Sequence, residues 1–133
     1  MKGKMVILHT IFAILGGLIY AGVEILFRGF TDWRMVIVGG ICFLLIGLLD
    51  EVFPPMPILL QMTLSALIVT VIEFIAGLIL NVWFGLGIWD YSNMPYNLFG
   101  QICLPFSLIW FALAYPAIQL ENWMHTLSKK IYV

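Results

Sequence analysis

Residues 58–80 read ILLQMTLSALIVTVIEFIAGLIL. A bilayer-spanning helix needs about 20 apolar residues at 1.5 Å rise per residue, and this run supplies them. Its single ionisable side chain is Glu73, with no cation within two turns on either side. A carboxylate at that depth needs a partner, a proton or a water-filled cavity, so Glu73 marks a functional site by default. It is expected to be neutral or paired within the protein at neutral pH.

The rest of the chain is written for the same solvent. Of its 133 residues 63% are hydrophobic and 10% charged, and the mean hydropathy is +1.09. Soluble chains carry about 25% charged residues, so there is too little polar surface to coat a soluble domain, and the expected partner is the lipid bilayer. The net charge of -1 excludes the clustered basic face that nucleic acid requires. Residues 5–27, 35–49 and 97–120 form three further apolar runs. Pro54, Pro55 and Pro57 cannot continue a helix and close a tight hairpin between the second and third runs. The expected fold is therefore all-α, an integral membrane four-helix bundle in a single domain, with no strands and both termini on the same side. The second run is the shortest, and Val52 and Phe53 can extend it past Asp50 and Glu51.

Lys2 and Lys4 before the first run resemble the start of a secretory signal, but the run is too long and lacks a small-x-small cleavage site before Glu24, so it reads as a retained helix. Lys2, Lys4, Lys129 and Lys130 on one side outnumber Arg28 and Arg34 on the other. The positive-inside rule then places the termini of a multi-pass cell-membrane protein in the cytoplasm. Trp33, Trp83, Trp89 and Trp123 fall near run ends, where indole rings settle at headgroup level, and all except Trp89 read as interfacial anchors.

The intramembrane polar groups follow helical spacing. His9, Ala13, Gly17, Tyr20, Glu24 and Arg28 form one stripe on the first run, and Ala66, Thr70, Glu73, Gly77 and Asn81 form another on the third. Small residues let helices approach closely enough for polar groups to bond, and the two stripes are expected to face each other. The end of the membrane that holds Glu24 and Glu73 also receives the loop with Trp89, Asp90 and Tyr91, and then Asn97 and Gln101 one turn apart. Glu24, Glu73, Trp89, Asp90, Tyr91, Asn97 and Gln101 are thus the candidate substrate or ion site, while Asp50 and Glu51 face water at the other end. Structural roles compete with this reading. Arg28 stands at i+4 from Glu24 in the favourable order for an ion pair, and Asp90 can cap a turn or meet Arg28 or Arg34. Cys42 and Cys103 read as buried free thiols, and neither His9 nor His125 has metal-ligand spacing. No nucleophile and base pair is visible, so no catalytic residue, metal or cofactor is expected. Pro105 is expected to kink the fourth run, and Pro116 lies further along it.

The run Thr70 to Phe74 with Gly77 and Asn81, the block Trp89, Asp90, Tyr91, Ser92, and the block Asn97, Leu98, Phe99, Gly100, Gln101, Ile102, Cys103, Leu104 together resemble the CmpB family. That family carries the label ABC-transporter permease and includes the transmembrane protein 229 group. The likeness spans about residues 11–113, and Glu24 and residues 40–51 fit the bacterial branch. Residues 35–40 replace a Gly-Pro and Pro-Ile-Tyr-Gly pattern found elsewhere in the family. The resemblance implies membrane residence and importance for Glu73, Trp89, Asp90, Tyr91, Asn97 and Gln101. No P-loop of the form G-x-x-x-x-G-K-[ST] is present. The expected function is a small transporter or permease-like subunit with an intramembrane acidic site, as a homo-oligomer or beside a transport-complex partner. The alternatives are a noncatalytic membrane scaffold or, more distantly, a membrane enzyme with Glu73 or Asp90 as base.

Overall fold

A computed structural model describes the backbone of residues 2–29 and 31–132, and the side chains of residues 7–26, 29, 31–49, 52–127, 129 and 130. The chain is 76% helical. Its four helices are α1 (Lys2–Arg28), α2 (Trp33–Val52), α3 (Ile58–Gly77) and α4 (Leu104–Tyr132), which makes it an all-α protein. By length and composition, Ile7–Leu26, Ile58–Trp83 and Leu104–Leu127 are able to cross a membrane, whereas the apolar part of α2, Trp33–Leu49, is shorter.

Local chemistry sets the boundaries. Asp32 caps α2 by accepting the Arg34 N–H at 2.9 Å, so the helix begins two residues before the apolar run does. It ends at Val52, ahead of the Pro54 and Pro55 pair. Beyond Gly77 the third helix widens into a π-helical segment, Leu78–Trp83. There Phe84 N–H donates to the Ile79 carbonyl at 3.0 Å and Leu86 N–H to the Leu80 carbonyl at 2.9 Å.

The fourth helix corrects the sequence reading. It starts at Leu104 instead of Asn97, because Asn97–Leu98 (β1) and Ile102–Cys103 (β2) pair as a short antiparallel hairpin. Phe99 and Gly100, with φ of 54° and 70°, turn that hairpin, and no right-handed helix accommodates two successive left-handed residues. Pro105 therefore falls in the first turn of α4, where its missing N–H breaks no helical bond, and the kink expected there has no cause. Pro116 lies inside the helix.

The backbone gathers into two compact units, Met1–Pro55 with Pro116–Val133, and Met56–Tyr115. In the first, α1 and α2 pack through glycine. Gly16 faces Phe43, Gly17 faces Val36, Gly39 faces Tyr20 and Gly40 faces Ala13, and a Cβ at any of the four would collide with its neighbour. This is how small residues bring membrane helices together. The stripe Ala13, Gly17, Tyr20 of α1 is consequently covered by α2; the sequence had assigned it to the third helix. The core of this unit is Phe12, Phe43 and Met124, with Leu8, Leu44, Ala117 and Leu120 against it.

The second unit is apolar outside and polar inside. Leu67, Val71 and Ile75 make an exposed stripe along α3, while Glu73 and Gly77 are buried. Lipid is the solvent that rewards this inversion, since an exposed apolar surface of this kind is rare on soluble monomers.

Candidate functional site

The candidate site of the second unit is a ladder along one face of α3 and the π-helical segment. Glu73 is 4% exposed, and its Oε2 accepts the indole Nε1–H of Trp110 at 2.9 Å. One turn earlier, Thr70 Oγ1 and Ser107 Oγ share a hydrogen bond of 2.9 Å, so α3 is tied to the start of α4 at two successive levels. One turn later comes Gly77. A Cβ there would lie 2.9 Å from the Gln101 Cβ and 3.1 Å from Trp89 Cζ2, so glycine is what lets both side chains reach the helix.

Another turn on, Asn81 and Gln101 interlock. Asn81 Nδ2 donates to Gln101 Oε1 at 2.9 Å, and Asn81 Oδ1 accepts the Ile88 N–H at 2.7 Å. Gln101 Nε2 donates to the Phe99 carbonyl at 2.9 Å, and the Gln101 carbonyl accepts Trp89 Nε1–H at 2.9 Å. An unsatisfied group in such a place costs about 1–3 kcal/mol, and here both ends of both amides are engaged. Trp89, 4% exposed, is therefore a buried part of this ladder. Trp33, Trp83 and Trp123 are exposed, as expected of interfacial anchors.

The remaining loop residues brace the turn. Tyr91 N–H donates to the Gly100 carbonyl at 2.7 Å, and its ring stacks on Phe106 with centroids 4.8 Å apart. Asp90 Oδ1 accepts from both the N–H and the hydroxyl of Ser92. These two donors hold the exposed carboxyl below its ordinary range. Asn97 Nδ2 donates to the Met94 carbonyl at 2.9 Å, and its Oδ1 accepts the Gly100 N–H at 3.1 Å.

Of the seven residues singled out in the sequence, Trp89 and Gln101 join the Glu73 face of α3, Tyr91 stacks on α4, and Asp90 and Asn97 organise the loop. Glu24 belongs to the first unit, where it is buried on α1. Asp90 takes the turn-capping role of the two foreseen for it. Arg34 lies by its own helix cap, with Nε 3.6 Å from Asp32 Oδ1 and its guanidinium over the Trp33 ring. The Glu24–Arg28 pair, the Arg28 alternative for Asp90, and the side chains of Asp50 and Glu51 lie outside the described residues. Cys42 and Cys103 are buried and form no disulfide. Among the described residues no group of three His, Cys, Asp or Glu is placed to hold a metal.

Trp110 and Ser107 were missed in the sequence. They stand three residues apart on the start of α4, and an indole N–H inside an apolar run has to find an acceptor, which was the available signal. Chemically, the site offers a buried carboxylate fixed at one oxygen by an indole donor and backed by a closed amide network. Such a group can hold a proton or a cation.

The model of the family described as "Putative ABC-transporter type IV" matches residues 7–132. No curated protein and no solved structure matches the chain.

Proposed function

The chain belongs to this ABC-transporter type IV family along nearly its whole length, and from that premise we propose that it is a small transporter or permease-like subunit whose ion or substrate site is built on Glu73. The observation that carries the reading is a carboxylate 4% exposed, inside an apolar span, whose Oε2 accepts the indole N–H of Trp110. Intramembrane carboxylates of this kind mark ion and proton pathways. Trp89 and Tyr91 supply the aromatic wall beside the site. Four helices offer little room to enclose a route, so the working unit is a homo-oligomer or includes a transport-complex partner. It resides in the cell membrane with cytoplasmic termini, on the four-to-two lysine and arginine count.

A second reading, a noncatalytic scaffold, draws support from the Asn81 and Gln101 amides, whose hydrogen bonds close on the chain itself. On that reading the polar ladder holds helices together and binds nothing.

The two readings separate at Trp110. Its indole resonance in nitrogen-labelled protein in micelles, assigned with Trp110→Phe, should move when protons, sodium, potassium or tetramethylammonium are added. The response should be absent in Glu73→Gln. A Trp110 signal unmoved by every one of these probes favours the scaffold.

A further inference from the structure

The first unit holds a buried acid that the transport reading does not use. Glu121 of α4 is 1% exposed. Gly47 of α2 leaves the space it occupies: a Cβ at Gly47 would lie 2.8 Å from Glu121 Oε1 and 3.2 Å from its Cγ. One turn on, His125 presents Nε2 to Glu121 Oε1. The imidazole is held from the other side by Phe12 of α1, edge to face, with centroids 5.0 Å apart and planes at 76°. His9, one turn before Phe12, lines the same small cavity, whose remaining wall includes the apolar Phe43 and Leu48. The cavity measures about 10 Å³, room for one water molecule.

We propose that Glu121 and His125 form a proton-binding site, with His9 as the second imidazole across a single water. The pair carries one proton and is neutral whichever atom holds it. Imidazolium faces carboxylate in one state, and neutral imidazole faces carboxylic acid in the other. Transfer between them breaks the Nε2–H bond and forms an Oε1–H bond without changing the net charge. This suits apolar surroundings, where a net charge is costly. Loss of the proton leaves a net negative charge on Glu121, and the proton's exit is through water to His9, from α4 to α1.

Among the described residues, the neighbouring elements add little charge to the cavity. Among the described residues, α2 brings Phe43, Leu44, Gly47 and Leu48 to the cavity and no titratable side chain. The next cation along α4 is the exposed Lys129. The site uses none of the groups around Glu73, so it stands or fails separately from the transport reading.

Infrared difference spectra of the full chain in lipid nanodiscs, recorded between an acidic and an alkaline sample, test the proposal. The wild-type spectrum should contain a carboxyl band that is lost in Glu121→Gln, displaced in His125→Asn and retained in Glu73→Gln. Gly47→Ala, which sets a methyl group against the carboxylate, should displace the same band, and it decides the matter if Glu121→Gln does not fold. A spectrum left unchanged by Gly47→Ala and His125→Asn in samples of wild-type helix content overturns the proposal, as does one unchanged by a folded Glu121→Gln.

Discussion

Trp110→Phe keeps the aromatic character and removes the indole N–H that donates to Glu73 Oε2. It should destabilise the folded chain in detergent by about 1–3 kcal/mol, the cost of taking a hydrogen-bond donor from a buried polar group. Glu73→Gln, which keeps the shape and a neutral hydrogen-bonding head, should cost less than about 1 kcal/mol. The double variant should fall short of the sum, since the two residues share one bond. Thermal unfolding followed by circular dichroism measures all three. Gly77→Ala should cost a similar amount through overpacking, about 1–3 kcal/mol, because the new methyl group meets Gln101 and Trp89. Asp90 makes a pH prediction. Its carboxyl is lowered in the folded state by the Ser92 donors, so its contribution is complete above the unfolded value of about 4 and is lost as pH falls through the lowered folded value. Hydrogen exchange at the Ser92 amide should stay protected down to that acid range and then open, and Asp90→Asn should abolish the transition. Glu73 was legible in the sequence because a lone acid in an apolar run stands out. Trp110 was not, because an aromatic residue in such a run looks like any other lipid-facing side chain until the register of two helices is known.

At the level of elements, legibility followed the reach of the forces involved. The spans of α1 and α3 came from apolar runs alone, and the α3 stripe Ala66, Thr70, Glu73, Gly77, Asn81 proved to be the bonded face. The start of α4 did not, since local bonds of Asn97 and the left-handed turn at Phe99 and Gly100 override an apolar pattern that suits helix and strand equally. The far end of α4 was also cut short. A boundary at Leu120 placed Glu121 outside the membrane run, although Ile118, Glu121 and His125 continue one helical stripe. The α1 stripe was read correctly as a packing face but given the wrong partner, because a run of small residues does not say which helix fills it. The paired glycines of α1 and α2 carry a prediction of their own. Gly17→Leu or Gly40→Leu should separate the helices and lower the unfolding midpoint by several degrees, whereas Gly22→Ala, with open space around its Cβ position, should not.

For the molecule as a whole, a chain that crosses the membrane with all four helices has both ends on one face. Cysteines placed at the two termini of a cysteine-free variant should react with an impermeant thiol reagent from the same side of sealed vesicles, and opposite labelling would mean an odd number of spans. Membership of the ABC-transporter type IV family and the buried Glu73 point to transport, which is read out as flux. Proteoliposomes of the purified full chain, loaded with dyes for protons or alkali cations, should dissipate an imposed gradient at least about tenfold faster than empty vesicles, a barrier difference of about 1.4 kcal/mol. Glu73→Gln should fall to the empty-vesicle rate, while Thr63→Ala, exposed on the same helix and bonded only to the Leu59 carbonyl among the described contacts, keeps the wild-type rate. Equal rates for wild type and Glu73→Gln would rule out Glu73 as the ion site.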